Sequence, residues 1–327
     1  SSDSLSYKGS MDFTGVFVQD EMKYFSNRLH ITMGLRADIA RFYNGSLRIE
    51  NPTNITGFTE NSFTEFDNNT WLALSPKLAA RYKLIEKLSA YASVASGFMP
   101  PKLNDLCQSG KIRKGFKLAN PDLGPKTLWN YEIGMDYSPA ENLKIASSMY
   151  YSHGYNFHNL VGTGDSIDTG GTDLKPVLRK LNISEIEIRG IELFFNWKIN
   201  RHFRFLTNYA YAKSTILDFD KNNDSDEING NYIIEVPPHT LYAGLFYSGK
   251  LFDASLDYSY TDAIWADIQN TQEVEPYDIW NFKISRNFAK HWNMGITLQN
   301  FFDNEFIDRK GRKSPGRFNM VEISYRW

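Results

Sequence analysis

The sequence predicts an all-β fold, an antiparallel barrel whose strands cross a membrane. Three regularities predict it: side-chain chemistry that alternates with a period of two, connections that alternate between short and long, and a heavy aromatic load. The 327 residues include 23 Phe, 19 Tyr and 7 Trp, 15% of the chain, a load that membrane barrels place in girdles at the two lipid–water interfaces. Thirty-six Lys and Arg against 38 Asp and Glu leave a net charge of −2, which offers no bulk attraction for nucleic acid, so no nucleic-acid partner is expected. Cys107 is the single cysteine, which excludes an internal disulfide and a four-cysteine metal site and reads as a bystander. No run approaches the roughly 18 apolar residues of a spanning helix. A barrel has no need of one, because only alternate residues of each strand touch lipid.

The strands follow in order. Segment 11–24 alternates weakly and Leu29–Asp38 strictly, with Leu29, Ile31, Met33, Leu35 and Ala37 on one face and His30, Thr32, Gly34, Arg36 and Asp38 on the other. Segments 71–84 and 88–97 repeat the pattern. In Trp129–Tyr137, the residues Trp129, Tyr131, Ile133, Met135 and Tyr137 oppose Asn130, Glu132, Gly134 and Asp136. Segments 143–153, 183–198, 203–213 and 239–248 come next, followed by Phe252, Ala254, Leu256, Tyr258 and Tyr260 alternating with Asp253, Ser255, Asp257, Ser259 and Thr261. Segments 278–285, 292–299 and 318–327 bring the count to about thirteen strands. None of them carries the i, i+3, i+4 apolar spacing of an amphipathic helix.

Short turns sit near Ser26–Arg28, Glu86–Lys87, Ser138–Asn142, Asn200–His202, Ser248–Lys250 and Asn287–His291. Long polar links lie between them, near 44–70, 98–127, 154–180, 216–237, 262–277 and 302–317. Outer-membrane barrels have short periplasmic turns and long extracellular loops, and a soluble β-sandwich has no reason to keep that parity. The last segment ends on the apolar stripe Val321, Ile323, Tyr325 and Trp327, interleaved with Met320, Glu322, Ser324 and Arg326. It resembles the insertion signal of outer-membrane barrels, which leaves the C-terminus periplasmic and makes the long links extracellular.

Several local sequences, in order, resemble one family, the TonB-dependent outer-membrane receptors. They are Gly15-Val16-Phe17-Val18-Gln19-Asp20-Glu21, then Ser75-Pro76-Lys77-Leu78, then Ser96-Gly97-Phe98-Met99-Pro100-Pro101. Asn120-Pro121-Asp122-Leu123-Gly124-Pro125-Lys126 follows, with Tyr131-Glu132-Ile133-Gly134 and Ile188-Arg189-Gly190-Ile191-Glu192-Leu193. Val236-Pro237-Pro238-His239 and Leu298-Gln299-Asn300-Phe301-Phe302-Asp303 complete the set. The resemblance implies a plug domain followed by a 22-stranded barrel in the outer membrane of a Gram-negative bacterium. It further implies a TonB-contacting N-terminal segment and active import of a scarce nutrient such as a ferric siderophore or other metal chelate. Nothing in the chain resembles the plug or that segment, so residues 1–327 are expected to be the C-terminal portion of such a barrel. TonB, the remaining N-terminal part of the receptor, outer-membrane lipid and a small-molecule metal chelate are then the expected partners.

Candidate ligand contacts fall on the long links and upper strand ends. His153, Tyr155, Phe157 and His158 suit a flat metal complex or, alternatively, an interfacial girdle and a self-packed loop. Lys111, Arg113, Lys114 and Lys117 form a basic cluster that suits an anionic ferric chelate or simply a solvated loop. Asp220, Asn222, Asp224 and Asp226 space oxygen ligands like the start of a calcium loop. Ser225 replaces the turn glycine, and a hydrated acidic loop is the other reading. No nucleophile–base motif, glycine-rich phosphate loop or HExxH helix is legible, so no enzyme is expected. A passive porin or an autotransporter-type translocator explains the strands but not the ordered boxes.

Overall fold

Outside water, every backbone N–H and C=O must find a partner within the protein, and an extended chain does so only by pairing with neighbouring strands. The computed structural model describes residues 4–52, 60–112, 115–168, 174–219, 228–288, 291–309, 312–325 and 327. Thirteen strands pair sequentially in one antiparallel sheet. They are β1 (Ser4–Tyr24), β2 (Leu29–Glu50), β3 (Asn69–Ile85), β4 (Leu88–Met99), β5 (Lys126–Ala140), β6 (Leu143–Ile167) and β7 (Lys175–Lys198). They continue as β8 (Phe203–Phe219), β9 (His239–Ser248), β10 (Asp253–Thr261), β11 (Tyr277–Phe288), β12 (Trp292–Gln299) and β13 (Phe318–Tyr325). Among the described residues β1 and β13 are the two ends of the sheet and do not pair with each other.

The two faces are chemically opposite. Met33 and Leu35 are 45% and 46% exposed, while Asp38, Ala40 and Phe42, of the other parity, are buried. Leu72, Leu74, Ile133, Met149, Leu193, Leu256, Val321 and Ile323 continue the exposed apolar face across the sheet. Bilayer hydrocarbon, not protein, is the medium that matches this face. Pro76, which cannot donate to a ladder, sits where β3 stops pairing with β4, the last aligned pair there being Lys77 with Ala95.

The structure departs from the sequence reading above the apolar band. β1 begins at Ser4, β2 runs to Glu50, β6 to Ile167, and β7 begins at Lys175. The expected long link at 154–180 is therefore largely a tall hairpin. Pairing continues there because ladder hydrogen bonds need no lipid, and without a lipid side the residues need not alternate. A five-residue helix, α1 (Leu103–Cys107), is the one departure from strand and loop among the described residues. It opens the link between β4 and β5, which folds inward: Leu106, Cys107 and Leu123 pack on Phe42, with Met11, Phe66, Trp71 and Leu103 around them. Beyond α1 the link forms a hairpin, Gly110–Ile112 with Gly115–Leu118, whose second strand pairs in parallel with β7, Val177 opposite Phe116.

Candidate functional site

Residues that alternate with the lipid-facing side chains line the lumen, and on β3 to β10 they form a polar wall. A cavity of about 630 Å3 opens on it, lined among others by Arg81, Tyr91, Glu132, Asp136, Glu192 and Tyr242. Arg81 pairs with Asp136, and the Tyr91 hydroxyl donates to Glu132 at 2.6 Å. Lower on the wall, Asn281 donates to Asp257 at 2.9 Å. Glu192, by contrast, has no hydrogen bond or ion pair among the described residues. Two glycines shape this wall. A Cβ at Gly134 would strike the Tyr91 ring, and one at Gly190 would strike the Tyr150 ring, so each glycine makes room for a neighbouring strand's tyrosine to lie across it. Glu132 and Glu192 stand two residues from those glycines on the same lumenal face. Neither was singled out from sequence, although their parity, opposite to Ile133 and Leu193, would have found them.

The second part of the site is the extracellular mouth. Asp105 on α1 is 6% exposed and accepts hydrogen bonds from Lys117 Nζ and Lys180 Nζ, each at 2.8 Å. Burial alone would push its carboxyl up, but the two ammonium groups outweigh it and hold the pKa below the ordinary value. Asn120 Nδ2 donates to the Lys180 carbonyl at 2.7 Å, Gly124 N–H to Asn182 Oδ1 at 2.7 Å, and Asn69 Nδ2 to the Pro121 carbonyl at 2.8 Å. The link is thus pinned to both β3 and β7. Cys107 is buried in the same core; burial pushes its thiol up, and Sγ donates to the Leu103 carbonyl at 3.1 Å, a packing role.

The sequence candidates separate. His153 and Tyr155 share the outward parity of Met149 and stack at 4.4 Å, with His153 Nε2 3.0 Å from Glu185 Oε2. They stand in an outer aromatic belt with Trp129, Tyr131 and Tyr151. Asn156 has a φ of 57° and β6 slips register against β7 nearby, which breaks the alternation. Phe157 consequently returns to the inner face, against Gly154 and under Lys126, while His158 Nε2 lies 2.8 Å from the Gly124 carbonyl. Lys117 is committed to Asp105, and Lys111 is also engaged with its surroundings. Arg113, Lys114, Asp220, Asn222, Asp224 and Asp226 lie outside the described residues. Among the described residues no group of three or more His, Cys, Asp or Glu converges as a metal site.

Comparison with known proteins places this geometry. The sequence model of the family described as TonB dependent receptor-like, beta-barrel matches residues 2–301. A curated relative, the iron-regulated outer membrane virulence protein of Vibrio cholerae, is 24% identical over 220 residues, covering 65% of this chain and 31% of the relative. The probable TonB-dependent siderophore receptor PiuA of Acinetobacter baumannii is 19% identical over 336 residues, 98% of this chain and 41% of the relative. This chain thus spans less than half the length of either. The crystal structure of PiuA superposes with a TM-score of 0.75 at 17% identity, covering 98% of this chain and 44% of that one. The ferric yersiniabactin uptake receptor FyuA of Yersinia pestis gives 0.72 at 15% identity, covering 99% and 47%. With two-faced strands, a polar lumenal wall and that match over most of its length, the chain belongs to the TonB dependent receptor-like β-barrel family of the Gram-negative outer membrane.

Proposed function

We propose that this chain is the C-terminal barrel portion of a TonB-powered receptor that imports a ferric siderophore or a similar metal chelate. The plug and first strands would come from the rest of the polypeptide. The observation that carries the reading is the lumenal wall: a broad polar surface that includes the Glu192 carboxylate, which forms no ion pair among the described residues, and which a barrel closed around a packed side-chain core would not tolerate. In this reading the mouth shaped by α1 and its hairpin forms part of the vestibule. Phe157, His158, Lys111, Arg113 and Lys114 are the cargo contacts offered by the inner face and the link. Asp220, Asn222, Asp224 and Asp226 would bind calcium in an extracellular loop, which titration calorimetry on the full-length receptor tests.

The test of the function is uptake. Cells whose only receptor is the full-length protein should accumulate radiolabelled iron from a cognate chelate, and removal of TonB should abolish accumulation. Uptake that persists without TonB, with large open-channel conductance in planar bilayers, would establish the rival passive pore.

A further inference from the structure

Two cations stand on the lipid-facing side of the sheet, at the top of the apolar band. Register sets Tyr131 opposite Tyr151, Tyr151 opposite Arg189, and Arg189 opposite Lys213. Arg189 shares the parity of the exposed Leu193, opposite to that of Gly190 and Glu192 on the lumenal wall, so both cations point away from the lumen and from anything that fills it. Below Arg189 the outward residues of β7 are Ile191, Leu193, Phe195 and Trp197, apolar down to the periplasmic turn. A lipid-facing strand tolerates charge near the interfaces and not at mid-bilayer, so the pair marks the outer interface. Arg189 Nη2 donates to Glu187 Oε2 at 2.7 Å, and its guanidinium carbon lies 5.8 Å from the Tyr151 ring centroid. Lys213 is exposed and forms no ion pair among the described residues. Like charges directly opposite each other on a sheet repel, and Glu187 answers only Arg189. The same face holds a groove, a cavity of about 560 Å3 that reaches from Leu78 to Tyr151. Its floor is a pair of alanines, Ala80 opposite Ala92, and Ile133 and Met149 form one wall. Tyr131 and Tyr151 flank its upper end, directly beside Arg189.

We propose that the groove and the two cations together bind one phosphorylated lipid of the outer leaflet, with an acyl chain in the groove and a phosphate between Arg189 and Lys213. The occupant follows from what the two parts share. An apolar trough open to hydrocarbon takes a chain, and the uncompensated charge at its upper end takes an anion. A guanidinium and an ammonium side by side match a phosphate, the first through paired N–H donors and the second as a point charge. Glu187 holds the guanidinium over Tyr151, so one half of the headgroup site is set before the lipid arrives. The site lies outside the barrel and is independent of the cargo and of whatever occupies the lumen.

Diphosphoryl lipid A, titrated into the full-length receptor purified in a neutral detergent and followed by native mass spectrometry, tests it. One retained lipid per receptor is expected, with retention at least tenfold weaker for the same lipid after enzymatic dephosphorylation. Lys213→Gln, which removes a side chain with no ion pair to lose, and Ala92→Trp, which fills the groove floor, should each weaken retention about fivefold or more. The charge-conserving Lys213→Arg, which guards against misfolding, should preserve it. The idea is overturned by absence of retained lipid, by equal retention of the dephosphorylated form, or by wild-type retention in Lys213→Gln or Ala92→Trp. Loss in Lys213→Arg while its heat-modifiable migration is normal overturns it as well. Displacement of the lipid by inorganic phosphate alone would assign a headgroup site without the chain, and a receptor dimer that excludes the lipid would assign the face to a second copy; either outcome sinks the proposal.

Discussion

The extracellular mouth and the bilayer-spanning band are made of the same strands, yet they are stabilised against different media. In the mouth, Phe42, Leu106 and Leu123 are shielded from solvent by other side chains of this chain. In the band, Ile133 and Leu193 are 58% and 47% exposed, and no side chain covers them because lipid does. The difference teaches that burial within the protein marks structural importance only at the mouth. In the band, the parity of a residue decides its role, and an exposed leucine is as constrained as a buried one.

The comparison can be broken first at its strongest point. Replacing Phe42 by Ala removes the side chain on which α1 packs, at a cost of about 3–5 kcal/mol if the cavity does not collapse. Hydrogen exchange should show the 100–125 link opening while the band stays protected, and equal protection of the link would show that its packing is not what holds it. The next effect lies in the band. Leu193→Arg should cost about 2–4 kcal/mol in unfolding from lipid vesicles, and Glu192→Gln, one residue away on the lumenal face, less than about 0.5 kcal/mol. Similar costs for the two would remove the two-faced account of β7.

Electrostatics sharpen the contrast further. Asp105→Asn leaves Lys117 and Lys180 facing each other without their carboxylate, and the link should loosen by about 1–3 kcal/mol. The sign of the pH effect follows from the lowered pKa. Asp105 contributes fully above its ordinary value of 3.8, and that contribution is lost as pH falls through the depressed folded value. Proteolysis of the link should accelerate only in strong acid, and the acceleration should vanish in the Asn variant. Acceleration near neutral pH would point to a group other than Asp105.

Much of the band was legible in the sequence because lipid imposes a strict two-residue rhythm, which gave the strands and the parity of the turns. The same rhythm already placed His153 and Tyr155 with Met149 on the outside, a consequence visible once the parity is counted through. What the rhythm does not reach was not legible. The slip at Asn156 turns Phe157 inward through a single left-handed residue, and nothing in the flanking pattern announces it. The Asp105–Lys180 pair joins residues 75 positions apart, and only the inward fold of the link brings them together.

The parallel pairing of Phe116 with Val177 bears on how this surface behaves in a crowded envelope. Among the described residues β8 last aligns with β7 at Glu185 and the residue before it, and the upper stretch of β7 takes its neighbour on that side from the short parallel strand. A bare ladder invites strands from foreign chains and seeds clumping. By laying its own short segment along Val177–Arg179, the molecule occupies part of a border, facing the outside world, on which a neighbouring copy would otherwise find a template.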